Sequence, residues 1–225
     1  MEIKDIKFYD NNVYLLKTCS LTSEKFKNIV KEFKYEDLYA KYKIYKDEKR
    51  VEKTKFPAIN VAFYKHIFEN DTVPSPEGML ELYFALYSDR VKVVEDKVIF
   101  NNEEYSLNAL KARILRTYPS LIRDFHFYLM VKEANIFDKV TYSCADDING
   151  TDVAITHQRV KYTVSLYTKT ERSLKFKKIK DEFRHQYDEN EIRIKLNLSK
   201  AYDCGQIKLY TQRDVDFVKK RIIDK

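Results

Sequence analysis

Asp152 and Lys169 are the pair of residues on which phosphate chemistry could be built. They lie in the stretch ADDINGTDVAITHQRVKYTVSLYTKTERS. Alternating apolar and polar residues predict one strand over TDVAITHQ and another over KYTVSLYTKT, so Asp152 opens the first and Lys169 lies near the end of the second. Strand side chains alternate faces, so Asp152, Ala154 and Thr156 share one side. Thr163, Ser165, Tyr167 and Lys169 likewise share a side, with Val164 and Leu166 opposite. A hairpin around Gln158–Lys161 would bring Asp152 and Lys169 to one end of a sheet. There a carboxylate can hold a divalent metal that polarises a phosphate and lowers the pKa of water. A lysine beside it can position that water or stabilise charge in the transition state.

A second cluster follows directly. RSLKFKKIKDEFRHQY is expected to be a helix carrying Arg172, Lys175, Lys177, Lys178, Lys180 and Arg184, of which 177, 180 and 184 form one stripe. Such a stripe holds a phosphate backbone without reading sequence. Thr170 and Ser173 could add neutral phosphate contacts at the helix start. The bland alternative is a solvated helix face.

The elements that must position these residues can be read along the chain. Phe8-Tyr9 and Val13–Leu16 suggest strands around a turn at Asp10–Asn12. Ser23 is the expected N-cap of EKFKNIVKEF, in which Phe26, Ile29, Val30 and Phe33 recur at helical spacing. Residues 45–57 read as a loop or weak helix end. DTVPSP (71–76) is a break, GMLELYFALYSD a buried helix, and VKVVEDKVIFNNEEYSL short strands joined at Asn101-Asn102. From there the order is sharper. LNALKARILRTY is expected to be one helix stopped by Pro119, and PSLIRDFHFYLMVKEAN a second. Strands follow at FDKVTYSC, TDVAITHQ and KYTVSLYTKT, then the basic helix, strands at IRIKLNL and GQIKLYTQ, and a closing helix at DVDFVKKRII. The expected fold class is α/β, a mixed central sheet flanked by helices with an α-rich N-terminal region. A soft boundary near residue 105 separates residues 1–105 from an α/β unit over 106–225. The first part is left three roles: to recognise DNA, to bind a protein partner or to buttress the core.

This order, with Asp152 on the second strand and Lys169 on the third, resembles the PD-(D/E)XK nuclease superfamily, the restriction-endonuclease-like proteins. The resemblance covers roughly residues 106–225. It implies a metal-dependent nuclease that cleaves DNA phosphodiester bonds in a restriction, defence or mobile-element system. Asp152 would be the metal-binding acid, Lys169 the lysine, and Mg²⁺ or Mn²⁺ the cofactor. The position two before Lys169 is acidic in that family and is Tyr167 here, and tyrosine does not replace a carboxylate on a hard metal near neutral pH. A relocated acid has candidates in Glu171, Asp181 and Glu182, in Asp146 and Asp147, and in Asp124 on the preceding helix. The alternative is a non-catalytic nucleic-acid-binding subunit that keeps the fold. Restriction-type nucleases are often homodimers, although no interface is readable here.

Composition bounds these readings. The chain has 225 residues, 18 Tyr and 14 Phe, a folded composition with enough length for a real core. Its net charge of +7 is localised: residues 1–150 hold 24 basic and 24 acidic side chains, whereas 151–225 hold 18 and 11. That placement favours a phosphate-rich partner, DNA ahead of RNA, or else an acidic protein. No apolar run approaches a membrane span, and MEIKDIKFYD carries acids where a signal peptide would be apolar, so a cytoplasmic location is expected. Cys19, Cys144 and Cys204 form no CxxC pair, and the 4 His show no HxH or HExxH spacing. Three glycines leave no room for a P-loop or GxGxxG motif.

Overall fold

The computed structural model describes residues 2–7, 14–18, 20–142, 151–168 and 189–224. Strands β1 (Glu2–Lys7) and β2 (Tyr14–Thr18) pair antiparallel. Helix α1 (Ser23–Lys31) buries Phe26 and Val30, as its spacing requires. Its N-cap is Thr22 and not the expected Ser23. The Thr22 hydroxyl accepts from the Lys25 amide (3.1 Å), while the Ser23 N–H donates to the Glu133 carboxylate (2.6 Å). The long-range carboxylate takes Ser23, so the cap moves one residue back.

Helix α2 (Tyr35–Tyr42) runs into a 3-10 turn at Lys43–Tyr45, and a short helix α3 (Lys49–Lys53) follows. The polar stretch 45–57 is therefore more ordered than its composition suggests. Val51 is fully buried, and two arginines from a later helix hold the backbone: Arg113 donates to the carbonyls of Val51 (2.5 Å) and Thr54 (2.8 Å), Arg116 to that of Lys46 (2.5 Å). Helix α4 (Ile59–Asn70) stops at Asp71, which adopts a left-handed φ of 52°. Helix α5 (Pro76–Leu86) starts at the last residue of the expected break, two residues ahead of the expected GMLELYFALYSD, with Ser75 as cap and Pro76 in the first turn. Strands β3 (Lys92–Val94), β4 (Lys97–Phe100) and β5 (Glu103–Ser106) form a meander. Asn101 and Asn102, at φ 51° and 62°, make the two-residue turn that Asn-Asn signals.

Helix α6 (Leu107–Glu133) corrects the expectation of two helices, because it passes through Pro119 without ending. A proline inside a helix gives up one backbone hydrogen bond. Burial on both sides outweighs that loss: Ile114, Leu115 and Tyr118 before it and Leu121, Ile122 and Phe125 after it are all in the core. The helix contacts α1 to α5 on one side and the second half of the chain on the other.

The second half builds a mixed sheet of β6 (Lys139–Thr141), β7 (Val153–His157), β8 (Val160–Thr168) and β9 (Glu191–Leu196), in that order. The first three are antiparallel, and β9 runs parallel to β8. Gln158 and Arg159, at φ 48° and 69°, form the tight β7–β8 turn. A hairpin of β10 (Tyr202–Cys204) and β11 (Ile207–Leu209) follows, of which only the second strand was expected. Its turn holds Gly205 at φ 58°, where a Cβ would lie 2.5 Å from the Lys31 carbonyl oxygen. Helix α7 (Gln212–Ile223) closes the chain behind a capping box of Thr211 and Asp214. The fold is mixed α/β, a four-stranded mixed sheet with helices around it and a helical N-terminal part. One buried cluster extends from Leu21 to Ile222 and runs through residue 105 without interruption. No helix among the described residues is long and apolar enough to cross a membrane.

Phe125 lies at the centre of that cluster, within 5.5–6.3 Å of the rings of Phe26, Phe63, Phe68, Tyr128 and Tyr142. Phe125→Ala should cost about 3–5 kcal/mol in urea unfolding followed by circular dichroism. Loss in a single transition is expected; two separated transitions would show that the halves unfold independently. His126, beside it, is 2% exposed, and its pKa falls to about 4 through burial, with Lys27 adding to the effect and Glu24 opposing it. Below its ordinary value of 6.5 the unfolded chain takes up a proton that the folded chain refuses. Stability should therefore fall by about 3 kcal/mol as pH drops from 6.5 towards 4, and this ring adds no slope above 6.5. His126→Phe should flatten that part of the profile, read by urea midpoints across the range.

Candidate functional site

The sheet has one apolar and one polar face at β7–β9. Val153, Ile155, Val164, Ile192, Ile194 and Leu196 are buried on the first. The register Val153↔Val164 and Ser165↔Arg193 puts Asp152, Ser165, Tyr167, Glu191, Arg193 and Lys195 on the second. The alternation of sides expected along 152–156 and 163–167 is met, whereas Lys169 lies outside the described residues. Asp152 is level with Ser165, so Tyr167 lies two residues further along β8.

Asp152 is held by the strand it faces. Its N–H donates to the Val164 carbonyl (2.9 Å), and its Oδ2 accepts the Leu166 N–H (2.5 Å). The carboxylate thus stands where a backbone carbonyl would continue the β7–β8 ladder. On the other side of β8, Ser165 Oγ donates to Glu191 Oε1 (2.8 Å). Glu191 Oε2 accepts from Arg193 Nε and Nη2, both at 2.9 Å. Acid, hydroxyl and ion pair therefore form one row across three strands. Glu191 and Arg193 were missed by the chemical reading of the sequence, although their alternation with Ile192 and Ile194 marks them as polar-face residues.

The buried Tyr210, just after β11, links this row to α6. Burial pushes its pKa far up, and the carboxylates of Asp124 and Asp152 push it further, so both acids act on one phenol. Asp124, a candidate from the sequence, lies on α6. Among the described residues no three His, Cys, Asp or Glu side chains converge to hold a metal. Lys169, Asp147, Glu171 and Glu182 lie outside the described residues, as do Asp146, Asp181 and the basic residues Arg172, Lys175, Lys177, Lys178, Lys180 and Arg184. Cys204 is buried, and its thiol donates to the Lys27 carbonyl (3.2 Å).

Beyond Arg193 a cleft of about 290 Å³ is lined by Asn190, Glu191, Arg193, Phe217 and Arg221. Phe217 is 40% exposed, and the Arg221 guanidinium lies 5.2 Å from its ring centre. An exposed ring with two arginines beside it can stack a base and meet a phosphate. No family model, curated protein or solved structure matches the chain.

If Asp152 bridges the strands, Asp152→Ala should destabilise the protein by about 1–3 kcal/mol, because the Leu166 N–H loses its acceptor. Asp152→Asn keeps an acceptor oxygen and should recover most of that loss. Equal melting temperatures for wild type and Asp152→Ala would show that the bond carries no weight.

Proposed function

We propose that the chain is a nucleic-acid-directed protein with a core similar to that of the PD-(D/E)XK nucleases, and that it cleaves DNA in a metal-dependent reaction centred on Asp152 and Lys169. The observation that carries this reading is the path of the chain: a long helix, three antiparallel strands and a fourth strand parallel to the third, with an acid opening the second strand. The excess of basic over acidic residues in 151–225 supports a polyanionic substrate.

Asp152 and Asp124 are hard oxygen donors of the kind Mg²⁺ or Mn²⁺ takes, and a bound ion would polarise the scissile phosphate. Tyr167 is not such a donor, and the set is incomplete among the described residues. A further carboxylate would come from Asp147, Glu171 or Glu182.

A second reading is a non-catalytic binding subunit, such as a restriction, defence or mobile-element system could use. The Asp152–Leu166 bond favours it, because a carboxylate that joins two strands has a structural reason to be there. Phe217 with Arg221 and Arg193 would then contact the nucleic acid.

Cleavage of supercoiled plasmid, linear duplex, single-stranded DNA and RNA, each with Mg²⁺, Mn²⁺ or EDTA, separates the two. Asp152→Asn is the control because it keeps the strand bond. The nuclease reading expects metal-dependent cutting of DNA that falls about 100-fold or more in the variant. Intact substrates that bind in low salt would move the assignment to the second reading. Neither cutting nor binding would overturn both.

A further inference from the structure

A second cleft, of about 460 Å³, lies between α1, the C-terminal turn of α6, β10 and the start of α7. Its lining includes Lys27, His126, Met130, Ala134, Tyr202 and Tyr210. The volume is in the range of small-molecule sites. The walls combine apolar side chains with two phenol rings, one of them, Tyr202, 46% exposed.

His126 is a polar group of this cleft that the described residues leave unanswered. It is 98% buried in effect, at 2% exposure, and neither ring nitrogen has a hydrogen-bond partner among the described residues. Buried polar atoms without partners are uncommon and costly, which points to a partner that the chain itself does not supply. The other charged groups of the cleft already have theirs. Lys27 Nζ pairs with Glu24 (2.5 Å) and lies 5.2 Å from the centre of the Tyr202 ring. The Glu133 carboxylate accepts from the Ser23 N–H and hydroxyl. A further anion or cation would have to displace one of these pairs. A neutral imidazole, by contrast, offers one N–H and one lone pair.

We propose that this cleft binds a nucleobase: an uncharged planar heterocycle with donors and acceptors on its edge. The base packs between the tyrosine rings and Met130, and its edge hydrogen-bonds the His126 imidazole. Lys27 and Tyr202, whose cation–π contact spans the site, are the side chains that give way to it. The same chemistry is supplied by a free nucleoside or by an unpaired base within a strand. The proposal rests on the cleft alone and is independent of cleavage at Asp152.

The test is a titration of the whole chain, with nitrogen-labelled histidine, followed through the His126 ring resonances and assigned with His126→Phe. The probes are adenosine, guanosine, cytidine and uridine, a short single-stranded DNA, and ribose as the base-free control. At least one base-bearing probe should shift the His126 resonances saturably, and ribose should not. Response to nucleosides identifies a free ligand, and response to the strand alone identifies an unpaired base. Affinity, read for the variants by titration calorimetry, should fall about tenfold or more in His126→Phe, through the lost hydrogen bond. Ala134→Phe, which adds a ring at a residue lining the cleft, should block binding while the fold is retained by circular dichroism. The proposal is overturned if no base-bearing probe moves the His126 resonances, if ribose moves them equally, or if both variants bind like wild type.

Discussion

Helix α6 is buried along most of its length and on more than one side, and the remainder of the chain is arranged to satisfy what it carries. Its apolar positions are met by α1 to α5, by β6 and by α7. Several of its polar side chains are partly buried and find partners inside the protein. Arg113 and Arg116 do so by donating to carbonyls in the segment 46–54, and Arg123 by donating to the Lys208 carbonyl (2.8 Å). These bonds join both halves of the chain to the same helix. His126 is the exception on that helix, with no such carbonyl in reach of its ring.

Tyrosine does related work in the N-terminal part. The hydroxyls of Tyr83, Tyr87 and Tyr118 donate to the carbonyls of Pro57, Ala58 and Pro74, at 3.1, 3.0 and 2.6 Å. Each ring fills the core while its oxygen satisfies a loop carbonyl where a proline or a helix start interrupts regular bonding. Scarcity of glycine has a matching consequence. The chain has 3 glycines, and among the described residues left-handed positions besides Gly205 are held by Asp71, Glu95, Asn101, Asn102, Asn135, Gln158 and Arg159. Such positions cost about 1–2 kcal/mol each in residues with a Cβ, so packing on either side must hold them.

Much of this was legible in the sequence where the cause is local. Alternation exposed β7, β8 and β9 and the face shared by Asp152 and Ser165. Asn101-Asn102 marked a turn, and DTVPSP a break between two helices. What failed depended on contacts distant along the chain. Pro119 signals a stop, and only burial on both sides of it overrides that signal. The cap at Thr22 follows from Glu133, which is 110 residues away from Ser23. Strand β10 is too short and polar to announce itself without the Gly205 approach to α1. Asp152 was found as a chemical candidate, but its bond to Leu166 follows from the strand register. The unanswered His126 cannot be seen in any local pattern.

The parallel pairing of β8 and β9 orders events in time. The β4–β5 and β7–β8 hairpins each close through two residues, and such units form within about 1–10 μs. Strand β9 joins β8 only after the intervening chain from Thr168 to Glu191 has been gathered back, a closure with a larger entropic cost. Until then the outer edge of β8 offers unpaired amides and carbonyls to any extended segment nearby. On a ribosome that interval lengthens, because β9 emerges after β8. The nascent protein therefore passes through a stage in which its central strand is exposed, and crowding or slow translation through residues 169–190 would act on that stage above all others.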